Sequence, residues 1–313
     1  MASQTRIRTE RPLNVVLRPA SPAEAAYRSA VLAPGFEPEP GLNLLYLGGK
    51  TIAQLSYALV HLGRWDDNEP ERLDAALAAA MTDRNLNRVL AQYFQDRAVE
   101  ARFLGPLRYS GAIPSTVYKQ TVEAIVADLH AAGALSGFDL ATTAVCLALP
   151  EGVVLVDGNP GDDDAPTSTH GLGGYHGSVH PARGGRRREA VYYAVSVYSE
   201  GDNGIVAFDE PWKNVCATLY HELQEVRTDP DVEDAIRAGR SPAAARLLGW
   251  YSPRGGEIGD IPMAEAGGDV SLVMQEVPLA DGGGTVPVQL MWSNAVGGPE
   301  GPIARRHVRP RQR

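Results

Sequence analysis

The chain of 313 residues carries 29 Lys and Arg against 38 Asp and Glu, a formal net charge of −9, with 44% hydrophobic and 21% charged residues. This composition suits a globular protein with a large core, and excludes wholesale disorder, collagen-like repeats and, with only Cys146 and Cys216, a disulfide-held scaffold. The acidic balance argues against a dedicated nucleic-acid binder, and the two basic clusters, Arg183 with Arg186 to Arg188 and Arg305 to Arg313, lack interleaved aromatic residues. The longest apolar stretch, Ala141 to Val156, is broken by Pro150, Glu151 and Gly152 and falls short of a membrane span. Residues 1 to 30 show no apolar core of a secretory signal, so the expectation is a cytoplasmic protein with no membrane or nucleic-acid partner.

In chain order, residues 1–40 are punctuated by Pro12, Pro19, Pro22, Pro34, Pro38 and Pro40 and read as an extended lead-in; the folded domain is expected over 41–300, with a basic tail over 301–313. Leu42 to Leu47 reads as a buried strand and Ile52 to Leu62 as a helix. Gly49-Lys50-Thr51 between them is not a phosphate loop, because the glycine needed five residues before Gly49 is Leu44. Helices are predicted over Glu71 to Met81, Asn85 to Gln95 and Thr116 to Ala134. Beyond them come β-rich runs at Thr142 to Leu149 and Val153 to Asp157, expected to pair. A long loop over Gly158 to Arg188 follows, then strands at Ala190 to Tyr198 and Gly204 to Phe208, a helix over Lys213 to Val226, and short helices over Val232 to Ala238 and Pro242 to Leu248. The C-terminal part, Val270 to Val277 and Thr285 to Trp292 around Asp281-Gly282-Gly283-Gly284, reads as a β-hairpin.

The chemistry concentrates in Tyr220-His221-Glu222-Leu223-Gln224-Glu225, within the helix over Lys213 to Val226. At 100° per residue Val215, Leu219 and Leu223 form one apolar stripe, while His221 and Glu225 lie one turn apart on another face with Glu222 beside them. Two metal-binding side chains at i and i+4, with an intervening glutamate that polarises water, is the arrangement of the H-E-x-x-H metallopeptidases, here with glutamate as the second ligand. Carboxylate oxygen is an accepted zinc donor, although it adds negative charge at the ion. Downstream, Gly249-Trp250-Tyr251-Ser252-Pro253-Arg254-Gly255-Gly256-Glu257-Ile258-Gly259-Asp260-Ile261 offers Glu257 as a third ligand and Asp260 as the acid hydrogen-bonded behind the ligating histidine.

These segments resemble a known family. His221-Glu222-Leu223-x-Glu225-Val226-x-Thr228-Asp229-Pro230, Gly249-Trp250-Tyr251, Gly256-Glu257-Ile258-Gly259-Asp260 and Val288-Gln289-Leu290-Met291-Trp292-Ser293-Asn294-Ala295 are similar to zincin-like proteins related to the Exordium (phosphate-induced) family and its bacterial relatives. Gly174-Tyr175-His176-Gly177 and Val191 to Val195 resemble the segment upstream of the family's metal helix, and Asn87 to Tyr93 the end of its N-terminal helix. The resemblance implies a zincin-like α/β fold, a metal site at His221, Glu225 and Glu257, and Glu222 in the general-base position. Family members are usually exported; export is not carried over to this chain.

The remaining candidates are weaker. His176 and His180 are four apart, but Gly174 and Gly177 argue against a helix there; His176 is a candidate to approach the metal as ligand or oxyanion donor, or else to cap a loop, and Tyr175 is an alternative oxyanion donor. Asp162-Asp163-Asp164 lacks the spacing of a calcium loop, and Cys216 reads as a buried thiol. The expected fold is therefore α/β (α+β): one zincin-like domain with N-terminal helices, a mixed sheet backing the metal-binding helix, and a C-terminal hairpin. The leading function is a Zn2+-dependent hydrolase of peptide or protein substrates with Glu222 and His176 in catalytic roles. The alternative is a non-catalytic binding protein keeping a structural or vestigial metal site.

Overall fold

The computed structural model describes residues 30–66, 68–94, 97–181, 190–239 and 241–301. At its centre lies a five-stranded sheet of order β3-β2-β5-β8-β7, formed by β2 (Gln54–His61), β3 (Glu100–Leu107), β5 (Thr143–Ala148), β7 (Gly174–Val179) and β8 (Val191–Ser196). β3, β2, β5 and β8 run parallel, and β7 closes one edge antiparallel to β8. Parallel neighbours need crossovers. Between β2 and β3 lie α1 (Glu69–Thr82) and α2 (Ala91–Phe94), and between β3 and β5 lie β4 (Thr116–Tyr118) and α3 (Lys119–Ala131).

Alternate residues of the central strands supply two separate cores. Ala144, Cys146 and Ala148 of β5 face one side, with Leu55, Tyr57 and Leu59 of β2, and pack against α1 and α4 (Pro211–Thr228). Val145 and Leu147 face the other with Val60 and Val195, under Val122, Ile125, Val126 and Leu129 of α3. Those four positions form one helical stripe, and each fully buried aliphatic side chain contributes about 1.5–3 kcal/mol. A sheet covered on both faces needs no polar alternation. Hence Ile52 to Leu62, expected as a helix, is instead mostly the inner strand β2: a continuous apolar run does not reveal its period.

Other expectations are corrected in the same way. The expected strand over Leu42 to Leu47 reduces to exposed β1 (Leu45–Tyr46), paired with β9 (Trp250–Tyr251), because Pro40–Leu42 takes a 3-10 turn and only Leu44 is buried. The helix expected over Asn85 to Gln95, whose last residue lies outside the described region, is instead a 3-10 turn over Asn87–Leu90 and then short α2, its start held by Asp83, which accepts from the Asn85 and Leu86 amides. β6 (Val154–Val156) pairs with β4 in parallel, not with β5. Gly204 to Phe208 is not a strand, because the Ala207 and Phe208 amides both donate to the Asn214 side chain. β3, β7 and α7 (Asp260–Glu265) occur where no element was expected. Helices also occupy the second half, where α5 (Val232–Arg237) and α6 (Pro242–Ala245) match the two short helices expected there. The expected hairpin forms from β10 (Met274–Pro278) and β11 (Thr285–Gln289) and packs on α4, but Val270–Leu272 takes a 3-10 turn and Trp292 pairs with Pro299 instead.

The result is a mixed α/β architecture with a mixed sheet backing α4, as expected. Within the expected lead-in, residues 1–29 lie outside the described region, while the Ala33 amide donates to Pro299 O and Glu39 to Gly297 O. The arginine clusters at 183 and 186–188 and at 305–313 also lie outside it. No helix among the described residues is long and apolar enough to cross a membrane.

Candidate metal centre

Pro211 opens α4 at its first turn, where a missing amide hydrogen costs nothing, and the helix is buried from Asn214 to its end at Thr228. Its polar face meets three other elements: β7 at the sheet edge, the segment from β9 into α7, and β11. A cleft of about 410 Å³ opens over that junction, lined by His176, Thr218, His221, Glu222, Glu225, Glu257, Asp260 and Gln289, with apolar walls from Val232, Ile236, Met263 and Met274. All six residues singled out from the sequence therefore converge.

Their pairing is specific. His221 Nε2 lies 3.1 Å from Glu225 Oε2, 3.7 Å from Asp260 Oδ1 and 3.9 Å from Glu222 Oε1. His176 Nδ1 lies 3.4 Å from both Glu222 Oε2 and Glu225 Oε2, and its Nε2 lies 3.7 Å from Glu257 Oε1. Two donor sets result, each with its atoms within 4.8 Å of one another: His221, Glu225 and Asp260, and His176, Glu225 and Glu257. Asp260 rather than Glu257 is thus the carboxylate beside His221, and Glu257 stands with His176. The four residues from Glu257 to Asp260 turn into α7, which sends the two acids to different histidines.

The imidazole of His221 is held from behind. Its Nδ1 meets Gln289 Oε1 at 2.8 Å, and Gln289 Nε2 donates to Gly259 O at 2.6 Å, which fixes the amide and leaves His221 Nε2 facing the carboxylates. Glu225 Oε1 accepts from the Gly259 and Asp260 amides at 3.1 and 3.2 Å, so only Oε2 turns toward the imidazoles. Gln289 had no role assigned from sequence. The available signal was a polar side chain opposite Val286 and Val288 in a hairpin strand whose other face is core. Asp229, just past the helix, accepts from the Gly249 amide at 2.8 Å and presents its carbonyl 3.3 Å from His176 Nε2.

Without a cation the electrostatics are conflicted. Burial alone would lower the His176 and His221 pKa values, but the charges of Glu257 and Glu225 outweigh it and hold both imidazoles well above their ordinary value. Burial would raise Glu225, yet the charge of His221 and hydrogen bonds from both histidines hold it well below the carboxylate range. Burial raises Glu222 and, more strongly, Glu257. The charge of Glu225, with burial, pushes Asp260 up to about 6, and burial pushes Asp229 up to about 7. Glu257 Oε1 is buried with no hydrogen-bond partner among the described residues. Carboxylates in this state fit a divalent cation, which replaces mutual repulsion with attraction.

No family model matches the sequence, and no curated protein does. Among solved structures the chain is similar to the crystal structure of metalloproteinase-II from Bacteroides fragilis, at 11% identity and a TM-score of 0.29. The likeness covers 64% of this chain and 48% of that one, so the chain spans about half the length of the protein it matches. A likeness this slight carries no argument about fold or chemistry.

Proposed function

We propose that the protein is a metal-dependent hydrolase of the Exordium-related zincin-like kind, cleaving peptide bonds in a peptide or protein substrate, with Zn2+ as its ion. One observation carries the reading: His221 Nε2, Glu225 Oε2 and Asp260 Oδ1 converge at the floor of an open cleft with Glu222 beside them. Imidazole nitrogen with carboxylate oxygens is a zinc donor set, and the half-exposed Asp260 keeps one side open, as a catalytic site requires. Bound there, the ion would supply Lewis acidity toward the scissile carbonyl and the attacking water.

Every other part of the reaction falls to the chain. Glu222 Oε1, on the His221 side, takes the proton from the attacking water and returns it to the leaving amine; burial raises its pKa toward the range where a carboxylate both accepts and releases a proton. His176 Nδ1, 3.4 Å from Glu222 Oε2, fixes the orientation of that carboxylate. Gln289 keeps His221 in one ring orientation. The apolar walls, Val232, Ile236, Met263 and Met274, offer a surface for a substrate side chain.

The test begins with elemental analysis of protein purified without added metal and then loaded with zinc. Wild type should hold zinc, with His221→Ala losing the ion of the open site; failure to take up any divalent metal would sink the reading. Glu222→Gln should keep its metal while peptide hydrolysis falls by roughly 10²- to 10⁴-fold. Equal activity in that variant would remove Glu222 as the general base, and no peptide hydrolysis by the zinc-loaded wild type would leave the non-catalytic binding protein as the better description.

A further inference from the structure

We propose that the centre holds two divalent cations, bridged by the carboxylate of Glu225; this rests on the metal-dependent reading above and deepens it. The two imidazoles fall in different donor sets, His221 with Glu225 and Asp260 and His176 with Glu225 and Glu257, and Glu225 is the member common to both. Glu225 Oε2 lies 3.1 Å from His221 Nε2 and 3.4 Å from His176 Nδ1, so one oxygen stands between the two rings. Its other oxygen is turned away into the Gly259 and Asp260 amides. Glu222 spans the same gap, with Oε1 toward His221 and Oε2 toward His176.

Two independent observations support a second ion at His176. Glu257 is 6% exposed, and its Oε1 is buried without a hydrogen-bond partner among the described residues, 3.7 Å from His176 Nε2. An orphaned carboxylate oxygen in such a place is costly, and a cation on His176 Nε2, the ring nitrogen facing it, would be its partner, with Glu225 completing the set and Nδ1 left to Glu222. Charge gives the second argument. Glu222, Glu225, Glu257 and Asp260 are four formal negative charges around two imidazoles, so one divalent ion, even with His176 left as imidazolium, leaves one of them uncompensated, whereas two ions balance them.

The sites differ in access. Asp260 opens the His221 site to the cleft, whereas His176, Glu225 and Glu257 are each under a tenth exposed, so the second ion is enclosed. One nitrogen with carboxylate oxygens suits Zn2+ or Mn2+.

The experiment is a metal titration of the full chain stripped with chelator, read as bound equivalents by elemental analysis after desalting. Wild type should reach two equivalents of Zn2+, and Glu257→Gln and Asp260→Asn one each. With Mn2+, wild type should show the electron paramagnetic resonance signature of an exchange-coupled pair, which Glu257→Gln should lose. One equivalent in wild type, or two in Glu257→Gln, overturns the bridged pair; no bound metal at all overturns the hydrolase reading too, so the two failures are distinguishable. Should Glu257→Gln not fold, His176→Gln must show the same drop to one equivalent, and two equivalents there would equally overturn the proposal.

Discussion

At the scale of single residues, the position of His221 is set by what lies behind its ring as much as by the helix that carries it. A Cβ on Gly259 would sit 2.6 Å from His221 Nδ1 and 2.7 Å from Cε1, closer than real side chains approach. The backbone of Gly259, at φ −93°, is open to any residue, so the glycine serves the imbedded ring and not the turn. Gly259→Ala should therefore push the imidazole off Gln289, weakening metal affinity about 10- to 100-fold, the range for losing an outer partner of a ligating histidine, with little change in the fold. Competition titration against a colorimetric chelator, alongside far-ultraviolet circular dichroism, measures both. Affinity equal to wild type would mean that the ring has room to shift without cost.

At the scale of elements, α4 is a helix buried nearly all round that nonetheless carries many polar side chains, so each must be satisfied locally. Asn214 is the clearest case. Its Oδ1 accepts from the Ala207 and Phe208 amides, both at 2.9 Å, and its Nδ2 donates to Ser199 O and Phe208 O at 3.1 and 3.0 Å. Asn214→Ala leaves these buried backbone groups without partners and should cost about 3 kcal/mol. Urea denaturation of wild type and variant should show this as a lower midpoint with unchanged slope, and the variant's metal stoichiometry should remain that of wild type.

The legibility of the elements follows from their packing. α4 could be read because Pro211 marks its start and Val215, Leu219 and Leu223 its stripe, and because His221 and Glu225 are joined by the helix itself. β2 was hidden by burial on both faces. β7 was hidden by its glycines, which looked like loop composition: a Cβ on Gly174 would lie 2.3 Å from Val195 O and 2.8 Å from Thr218 Cγ2, so glycine stands there because β8 and α4 approach closely. Reading that strand as loop left the role of His176 open, since only the sheet brings it across 45 residues to Glu222. The division of Glu257 and Asp260 between two histidines likewise depends on α7, a six-residue helix with Pro262 near its start.

At the scale of the whole molecule, the centre is where four elements meet, so its charge state bears on the stability of the entire fold. In the metal-free protein Asp229 and Asp260 are raised from an ordinary 3.8 to about 7 and about 6, and the folded state therefore keeps protons that the unfolded chain releases above pH 4. The histidines, held well above 6.5, retain their protons in the folded state where the unfolded chain loses them. Both effects have one sign: the native state binds more protons than the unfolded state, and stability falls as pH rises. Glu225, held below its ordinary value, opposes this only under about pH 4.5, where the unfolded chain takes up its proton first. Chelator-treated protein should thus lose thermal stability steadily from about pH 5 to about pH 8. Divalent metal reverses the demand, because ligands bind it deprotonated, and its stabilisation should grow over the same interval. Scanning calorimetry of stripped and zinc-loaded protein at several pH values tests this directly. Two parallel curves would mean that the cluster titrates alike with and without zinc, and that the carboxylates and imidazoles at the end of β7 and along α4 are not where the metal binds.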